Sequence, residues 1–485
     1  MQLNNASLAS LAKEIVAPDY DRKNVSTGIV HLGIGAFHRS HQAYFTELAL
    51  SLDNSWGICG VSLNSTTVRD KLAPQDCLYT LVTQGSSSEF RVIAAVQEVL
   101  HLGQQREMVK QRLNSPSTKV VTLTITEKGY YLNAEGDLDT QNPAIKHDIE
   151  NPDAPNTAIG LIAQALLYRQ NNGLRPATII SCDNVASNGI KLKKAVKQFA
   201  LKAFNSAFAE SIDKDVHFPC TMVDCITPAT DQALCDSIEQ QFFYKDAWPI
   251  KREPFAQWVI ESTPATDLPP WDQVGVTFTN DVDGFENAKL RLLNLPHSAL
   301  AYIGELLGLD SVYQAINHPA LAHFVSDMLH EEAIPSFAQP DGLDVSKYTA
   351  DIIERFKNPS IEHLLAQIAC DGTPKLLMRV IPTIKDNLIQ GNPIDKLCAV
   401  LAAWMAFIQK RANDNATLVD PNSELLLDLA NSLNDDPKQN LQQWLKLDIL
   451  FDRALLNNEV FIHSIETAYS TLSTQGIDEL ISMHR

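Results

Sequence analysis

The chain has 485 residues, of which 45% are hydrophobic and 20% charged, and its formal net charge is −19. A chain of this length exceeds what one hydrophobic core usually serves, so two domains are expected. The acidic balance argues against nucleic acid or an anionic membrane as the main partner, whereas a small anionic substrate would need only a local basic site.

The first half of the chain alternates strand-like and helix-like segments. Strands are predicted at residues 29–32, 57–62, 78–83, 90–96, 120–126 and 177–181. Helices are predicted at 42–52, 105–113, 158–171 and 189–208. This alternation is typical of an α/β domain with a doubly wound, mostly parallel sheet of the Rossmann type, which we place at residues 1–280.

The second half has helical periodicity almost throughout, which predicts a mostly α-helical domain at residues 281–485. The helices are predicted at 286–308, 311–316, 320–332, 348–356, 361–369, 380–390, 396–411, 423–433 and 441–451.

The eight cysteines include no Cys-x-x-Cys pair, and several lie in apolar runs. They indicate free thiols in a reducing compartment. Residues 1–20 lack the basic start and apolar core of a signal peptide, and no apolar run reaches the roughly 18 residues of a membrane span. A cytoplasmic protein with no metal site is therefore expected.

A glycine motif follows the first predicted strand. The segment GIVHLGIGAFHR (28–39) ends an apolar run in Gly33-Ile-Gly35, and a helical pattern begins shortly afterwards. Such a turn lets backbone N–H groups approach a pyrophosphate. The third glycine of G-x-G-x-x-G is missing, so a plain strand-to-loop corner remains the alternative. The following FHRSH (37–41) would place two imidazoles and a guanidinium around a phosphate.

Two further segments have polar residues close to the end of a predicted helix or strand. On one helical pattern, Glu286 and Lys289 lie one turn apart, Lys289, Leu293 and His297 share a face, and Asn294 is close to His297. Pro296 either kinks this helix or starts a new one. A surface Glu-Lys pair with a solvated histidine is the ordinary alternative.

The second of these segments is SCDNVASNG (181–189), at the end of a predicted strand. Capping of the following helix by Asp183 or Asn188 explains one polar residue but not the whole run. In a doubly wound sheet this position faces the cofactor crevice.

Taken together, these stretches resemble the polyol-specific long-chain dehydrogenases, the mannitol dehydrogenase family. The matching stretches are 29–45, 56–61, 123–130, 181–189, 218–228, 253–261 and 289–298. The resemblance implies metal-independent hydride transfer between a nicotinamide cofactor and a secondary alcohol of a sugar acid or polyol. The family's habit implies NAD, but NADP stays open because the second strand ends at 59–67 without an acid to hold the ribose 2′-hydroxyl.

The resemblance also implies roles for individual residues. Lys289 matches the general base, which becomes the acid in reduction, and Asn184 and Asn294 match the amides that hold the alkoxide oxygen. His297 matches the substrate-orienting imidazole, and Glu286 the carboxylate that helps the proton reach solvent. The cofactor-binding positions implied are Gly33, Gly35, Ala36, Phe37, Asn64, Glu127 and Asp224.

The segment 367–379 resembles the uronate-reducing branch of the family. Gln367 stands where mannitol 2-dehydrogenase has a substrate-contacting arginine, Lys375 matches a substrate-contacting lysine, and Arg379 matches an arginine of that branch. A carboxylate substrate favours guanidinium or ammonium partners. The resemblance therefore implies fructuronate reductase, interconverting D-mannonate and D-fructuronate. The alternative is mannitol 2-dehydrogenase, acting on mannitol and fructose, or another polyol or uronate dehydrogenase.

The sequence departs from the family at three places. Leu295-Pro296 replaces Gly-Ser between Asn294 and His297, Cys225 replaces an arginine after Asp224, and a Phe-x-x-Gly-Arg-Pro pattern is missing before Trp271. These changes bear on the substrate rather than on the reaction class.

Two other classes of protein stay open. A mannitol-1-phosphate type of dehydrogenase would need a denser basic cluster, and a non-catalytic dinucleotide-binding protein would have no use for Lys289. The sequence leaves a monomer and a small homo-oligomer equally open.

Overall fold

The structure is a computed structural model, and it describes residues 1–85, 87–265, 267–359 and 363–482. The chain divides into two compact units, Met1–Asp283 and Gly284–Arg485.

All the strands named here lie in the first unit. They are β1 (Ile15–Val16), β2 (Thr27–Leu32), β3 (Gly57–Ser62), β4 (Tyr79–Gln84), β5 (Ser88–Ile93), β6 (Val96–His101), β7 (Val120–Leu123), β8 (Thr178–Ser181), β9 (Thr221–Asp224), β10 (Ile250–Arg252), β11 (Gln257–Glu261) and β12 (Thr277–Thr279).

The helices of the first unit fall between and after these strands. They are α1 (Ala36–Ser40), α2 (Gln42–Leu50), α3 (Thr67–Leu72), α4 (Leu102–Asn114), α5 (Pro143–Glu150), α6 (Ala158–Asn171), α7 (Asn188–Ala203), α8 (Ser206–Asp215) and α9 (Gln232–Phe242).

Helix α10 (Val282–Lys289) contains the boundary between the units, and the described part of the second unit is helical. Its helices are α11 (Leu295–Leu306), α12 (Val312–Asn317), α13 (Pro319–Asp327), α14 (Val345–Phe356), α15 (Leu365–Ile368), α16 (Gly372–Gln390), α17 (Asp395–Asn413), α18 (Ser423–Asn431), α19 (Pro437–Trp444), α20 (Arg453–Leu456), α21 (Glu459–Gln475) and α22 (Ile477–Ser482).

The central sheet of the first unit has five parallel strands in the order β6-β3-β2-β7-β8. From β2 the chain adds β3 and β6 on one side, and it then returns to add β7 and β8 on the other side. The switch point of the Rossmann fold therefore lies between β2 and β7. Alternate residues of β2 feed cores on opposite faces: Val30 and Leu32 join one buried cluster and Ile29 the other. The predicted fold class, a Rossmann-type domain followed by a helical domain, is confirmed.

Two predicted strands belong to a different sheet. The 78–83 segment, observed as β4, pairs antiparallel with β5 in a four-stranded sheet of order β1-β5-β4-β10. The predicted strand 90–96 is two strands, separated at Ala94 and Ala95. Both of these residues donate their backbone N–H to the buried Glu47 carboxylate, at 2.6 and 2.7 Å, so the chain leaves one sheet there and enters the Rossmann sheet as β6.

The second unit is built around α17, where Leu397–Met405 is buried along its whole length. The predicted helix at 380–390 begins earlier, at Gly372, so Lys375 and Arg379 both lie on α16. Of the predicted helix 361–369, residues 361 and 362 lie outside the described part of the chain, and the rest contains α15. The helices after residue 452 were not predicted. Within the described ranges, no helix is long and apolar enough to cross a membrane.

Candidate active site

The glycine turn after β2 is set by one residue that cannot carry a side chain. Gly33 has φ +92°, and a Cβ on it would lie 2.2 Å from the carbonyl oxygen of Thr124, the residue after β7. Both the sign of φ and the close backbone therefore require glycine. Gly35 precedes α1, of which Ala36 and Phe37 are the first residues.

The basic residues after this turn point into the core rather than toward a ligand. His38 and His41 are fully buried and Arg39 is 1% exposed. His38 stacks on His31 with ring centroids 3.4 Å apart, and Arg39 donates to the carbonyl oxygen of Trp248 at 2.6 Å. Burial lowers the pKa of His38 well below its usual value, so its ring is neutral. The prediction that these side chains surround a phosphate is wrong, because α1 turns them inward.

A cavity of about 350 Å³ lies at the carboxyl ends of β2, β3 and β7, within the first unit. This is the switch point, where Rossmann folds bind dinucleotides. Gly33 and Asn64 of the predicted cofactor residues line it, whereas Gly35, Ala36 and Phe37 do not. The described lining residues include no Asp, Glu, Lys or Arg, so its polar groups are hydroxyls, carboxamides and backbone. Polar lining residues that the sequence did not single out are Ser62, Ser65, Thr124, Thr126, Asn156 and Thr157.

Asn156 and Thr157 reach the cavity because they start α6. The Thr157 hydroxyl accepts from the backbone N–H of Gly160 at 3.0 Å, and the buried Asp148 carboxylate accepts from the N–H groups of Asn156 and Thr157, both at 2.8 Å. A helix beginning at residue 158 was predicted, so the capping threonine was available as a signal. Its place beside the cavity depends on the crossover topology, which the local sequence does not contain.

The turn after β8 contains two asparagines, of which Asn188 is buried and Asn184 is exposed. Asn188 is fully buried; its amide nitrogen donates to the carbonyl oxygen of Asp183 at 3.0 Å, and its oxygen accepts from the Thr221 N–H at 2.9 Å. Asn188 therefore joins the turn to β9. Asn184 lies at the same turn and is exposed.

The remaining cofactor predictions in the first unit lie at strand ends. Glu127 is exposed and begins a short 3₁₀ turn, Glu127–Tyr130, after β7. Asp224 is buried and ends β9 opposite Gln257 of β11. Cys225, which follows, brings no positive charge, and burial raises the pKa of its thiol to about 12.

In the second unit the predicted catalytic helix is interrupted by a π-helical turn. Lys289 ends α10, the turn occupies Leu290–Asn294, and α11 follows without a break. A π turn closes its hydrogen bonds over five residues instead of four. The turn therefore shifts the helical register after Lys289, and the α-helical spacing on which Lys289, Leu293 and His297 were predicted to share a face does not hold through this segment. π turns occur frequently at functional sites.

Pro296 lies in the first turn of α11, where its missing N–H costs little. It therefore starts the second helical segment. Lys289 is 7% exposed, and Glu286, one turn before it, is partly exposed.

His297 is a buried imidazole in cationic surroundings. It is 7% exposed, its Nε2 has no hydrogen-bond partner among the described residues, and its ring lies 5.1 Å from that of His363. Burial lowers the pKa of His297 well below its usual value, and His363 lowers it further. The charges of Arg379, Arg355 and Lys375 act in the same direction. His297 is therefore neutral, with a ring nitrogen available to a ligand.

Arg379 lies beside the π turn. Its Nη1 donates to the carbonyl oxygen of Asn294 at 3.0 Å and to the Ser298 hydroxyl at 3.1 Å. Burial lowers the pKa of Arg379 to about 10. No carboxylate among the described residues forms an ion pair with it, so the guanidinium contacts protein only through neutral oxygens.

Lys375 lies one turn before Arg379 on α16. Its ammonium donates to the carbonyl oxygens of Ile368 at 2.9 Å and Cys370 at 2.5 Å, and within the described residues it forms no ion pair with a carboxylate. Burial lowers its pKa, and the charge of Arg379 does so further. Gln367, by contrast, is exposed on α15, and its side chain makes no hydrogen bond to a described residue.

Comparison with known proteins covers both units. The chain matches the Mannitol dehydrogenase Rossmann domain over residues 27–273 and the Mannitol dehydrogenase C-terminal domain over residues 281–473. The chain belongs to the mannitol dehydrogenase family. It is therefore an oxidoreductase, a dehydrogenase that acts on a secondary alcohol.

The similar proteins carry three different names. The chain is 37% identical to D-mannonate oxidoreductase of Escherichia coli, over 96% of this chain and 98% of that protein. It is 36% identical to mannitol 2-dehydrogenase of Aspergillus fumigatus, over 98% of each. Among solved structures, Pseudomonas fluorescens mannitol 2-dehydrogenase in ternary complex with NAD and D-mannitol has 34% identity and a TM-score of 0.82, covering 100% of this chain and 99% of that one. A substrate-free D-sorbitol dehydrogenase has 29% identity and a TM-score of 0.93, covering 99% and 100%.

Proposed function

We propose that this mannitol dehydrogenase family member is an NAD-dependent fructuronate reductase, which interconverts D-mannonate and D-fructuronate. The observation that carries the proposal is the pair of cations on α16. Lys375 and Arg379 are partly buried, and among the described residues neither forms an ion pair with a carboxylate. A buried charge is costly unless it is paired, and a substrate carboxylate supplies the missing counter-charge. The similarity to D-mannonate oxidoreductase supports the same substrate.

The cavity at the switch point fits NAD. Gly33 lines this cavity, and the neutral lining offers hydroxyl and carboxamide groups to a ribose. The 2′-phosphate of NADP would require a cation, which the described lining lacks, so NAD is favoured. The residues proposed for cofactor binding are Gly33, Gly35, Ala36, Phe37, Asn64, Glu127 and Asp224. When bound, the reduced cofactor supplies a hydride to the substrate carbonyl carbon.

The chain's own residues supply the proton and the stabilisation of charge. In reduction, protonated Lys289 donates its proton to the carbonyl oxygen as the hydride adds to carbon, and the product is a secondary alcohol; oxidation runs the same transfers backwards. Asn184 and Asn294 donate N–H groups to that oxygen, stabilising the negative charge that develops there. In oxidation Glu286 passes the proton taken up by Lys289 to solvent, and in reduction it returns a proton to the lysine. Neutral His297 orients a substrate hydroxyl.

A mannitol 2-dehydrogenase is the second candidate. The similarity to that enzyme in its complex with NAD and D-mannitol extends over the whole chain.

A reduction assay across D-fructuronate, D-tagaturonate and D-fructose, each with NADH and with NADPH, tests the proposal. We expect fructuronate with NADH to give the highest kcat/KM. If fructose is reduced at least as efficiently as fructuronate, the mannitol 2-dehydrogenase function replaces the proposed one.

A further inference from the structure

Thr126 has a backbone conformation that L-residues rarely adopt. Its φ and ψ are +63° and 165°, and it is β-branched. This region is essentially restricted to glycine, and a β-branched residue held there is strained. Thr126 also lines the 350 Å³ cavity at the switch point, together with Gly129 and Tyr131 of the same turn. Strain at such a place requires a group that holds it.

The holding group is the carboxylate of Asp183, two residues beyond the end of β8. One of its oxygens accepts from the backbone N–H of Thr126 at 2.7 Å, and the other accepts from the Tyr130 hydroxyl at 3.1 Å. Tyr130 is itself hydrogen-bonded to the hydroxyl of Ser181 at the end of β8. Asp183 thus attaches both ends of the turn 126–130 to the next strand of the sheet.

The same aspartate also fixes the turn that carries Asn184. Its backbone N–H donates to the Ser181 hydroxyl at 3.2 Å, and its carbonyl oxygen accepts from the buried Asn188 amide at 3.0 Å. Asp183 is 7% exposed, so solvent does not compete strongly for its carboxylate. One residue therefore connects a wall of the cavity with the amide proposed to contact substrate.

We propose that Asp183 is a positioning residue for cofactor binding: it holds Thr126 in its strained conformation and thereby shapes the wall of the dinucleotide cavity. This inference rests on the proposed function only in taking that cavity as the NAD site, and it does not depend on which sugar is reduced.

If Asp183 acts by holding Thr126 in its strained conformation, Asp183 becomes dispensable once that strain is removed. Glycine adopts φ +63° without strain, so the turn of a Thr126→Gly variant keeps its shape with less help. Asp183→Ala removes both side-chain hydrogen bonds. Asp183→Asn keeps one oxygen for the Thr126 N–H and loses the charge.

The experiment measures the dissociation constant of NADH by fluorescence titration of the purified full-length protein, without substrate. Asp183→Ala loses a hydrogen bond to a charged acceptor, so we expect its NADH dissociation constant to rise about 10- to 100-fold. We expect a smaller rise of the dissociation constant for Asp183→Asn. We expect Thr126→Gly alone to stay within about threefold of wild type, and Thr126→Gly combined with Asp183→Ala to return to within about threefold of Thr126→Gly.

Unchanged NADH affinity in Asp183→Ala, or no rescue by Thr126→Gly, would overturn the inference. If circular dichroism shows that Asp183→Ala is unfolded, the comparison of Asp183→Asn with and without Thr126→Gly decides by the same criteria. A wild-type protein that binds neither NADH nor NADPH would instead refute the proposed cofactor.

Discussion

Replacing Arg379 separates a uronate reductase from a polyol dehydrogenase. Arg379→Leu keeps an apolar stem of similar length but removes the guanidinium, while Lys375 remains one turn away on α16. If the guanidinium binds the substrate carboxylate, the variant loses a charge-assisted hydrogen bond worth about 2 kcal/mol in the transition state, which is about 30-fold in kcat/KM.

Fructose is also affected, because Arg379 has a second role in the structure. Its Nη1 contacts the carbonyl oxygen of Asn294 and the hydroxyl of Ser298. Both are neutral acceptors, and losing such bonds costs about 1 kcal/mol, or roughly fivefold. Arg379→Leu should therefore reduce kcat/KM on fructuronate well beyond its effect on fructose. The matched control is Ser298→Ala, which removes one of these contacts and keeps the charge.

The assay measures kcat/KM for both substrates with NADH in wild type, Arg379→Leu and Ser298→Ala. We expect the ratio of fructuronate to fructose to fall at least about tenfold in Arg379→Leu and to stay within about twofold in Ser298→Ala. An equal loss on the two substrates in Arg379→Leu would show that the guanidinium only supports the π turn.

Four further substitutions test the catalytic and cofactor residues. Lys289→Ala should lower turnover by several orders of magnitude while NADH still binds, and turnover within tenfold of wild type would remove Lys289 from the acid/base role. Asn184→Ala and Asn294→Ala should each lower kcat by roughly 10²-fold, whereas a change in KM alone would make them simple substrate contacts. Gly33→Ala should abolish measurable NADH binding and lower the melting temperature, because its methyl group would meet the Thr124 carbonyl at 2.2 Å; wild-type affinity in this variant would contradict the assigned turn.

The fold class could be predicted because strand and helix periods alternate in the first half and only the helical period occurs in the second. The sheet to which each strand belongs could not be predicted. The residues of β4 and β5 are as apolar as those of the Rossmann strands, and their place in another sheet depends on pairing with β1 and β10. The break between β5 and β6 depends on the Glu47 carboxylate, which lies far away in sequence.

Part of the candidate site could be predicted because its backbone geometry requires a particular residue type. The part that depends on a change of helical register could not be predicted. Gly33 could be identified, because a strand followed by a glycine turn is a local pattern. The π turn at Leu290–Asn294 could not be predicted, because its sequence is that of an ordinary α-helix. Thr126 was also missed, since its strained conformation is imposed by Asp183 from the next strand rather than by its own neighbours.

The central claim is that the substrate carries a carboxylate, and a competition experiment tests it most directly. D-fructuronate and D-fructose are supplied at equal concentration with NADH in one reaction, and mannonate and mannitol are quantified by chromatography at low conversion. Their ratio equals the ratio of the two kcat/KM values. The unpaired cations on α16 predict at least about 30-fold more mannonate than mannitol, corresponding to about 2 kcal/mol. Equal amounts, or an excess of mannitol, would contradict the proposed function.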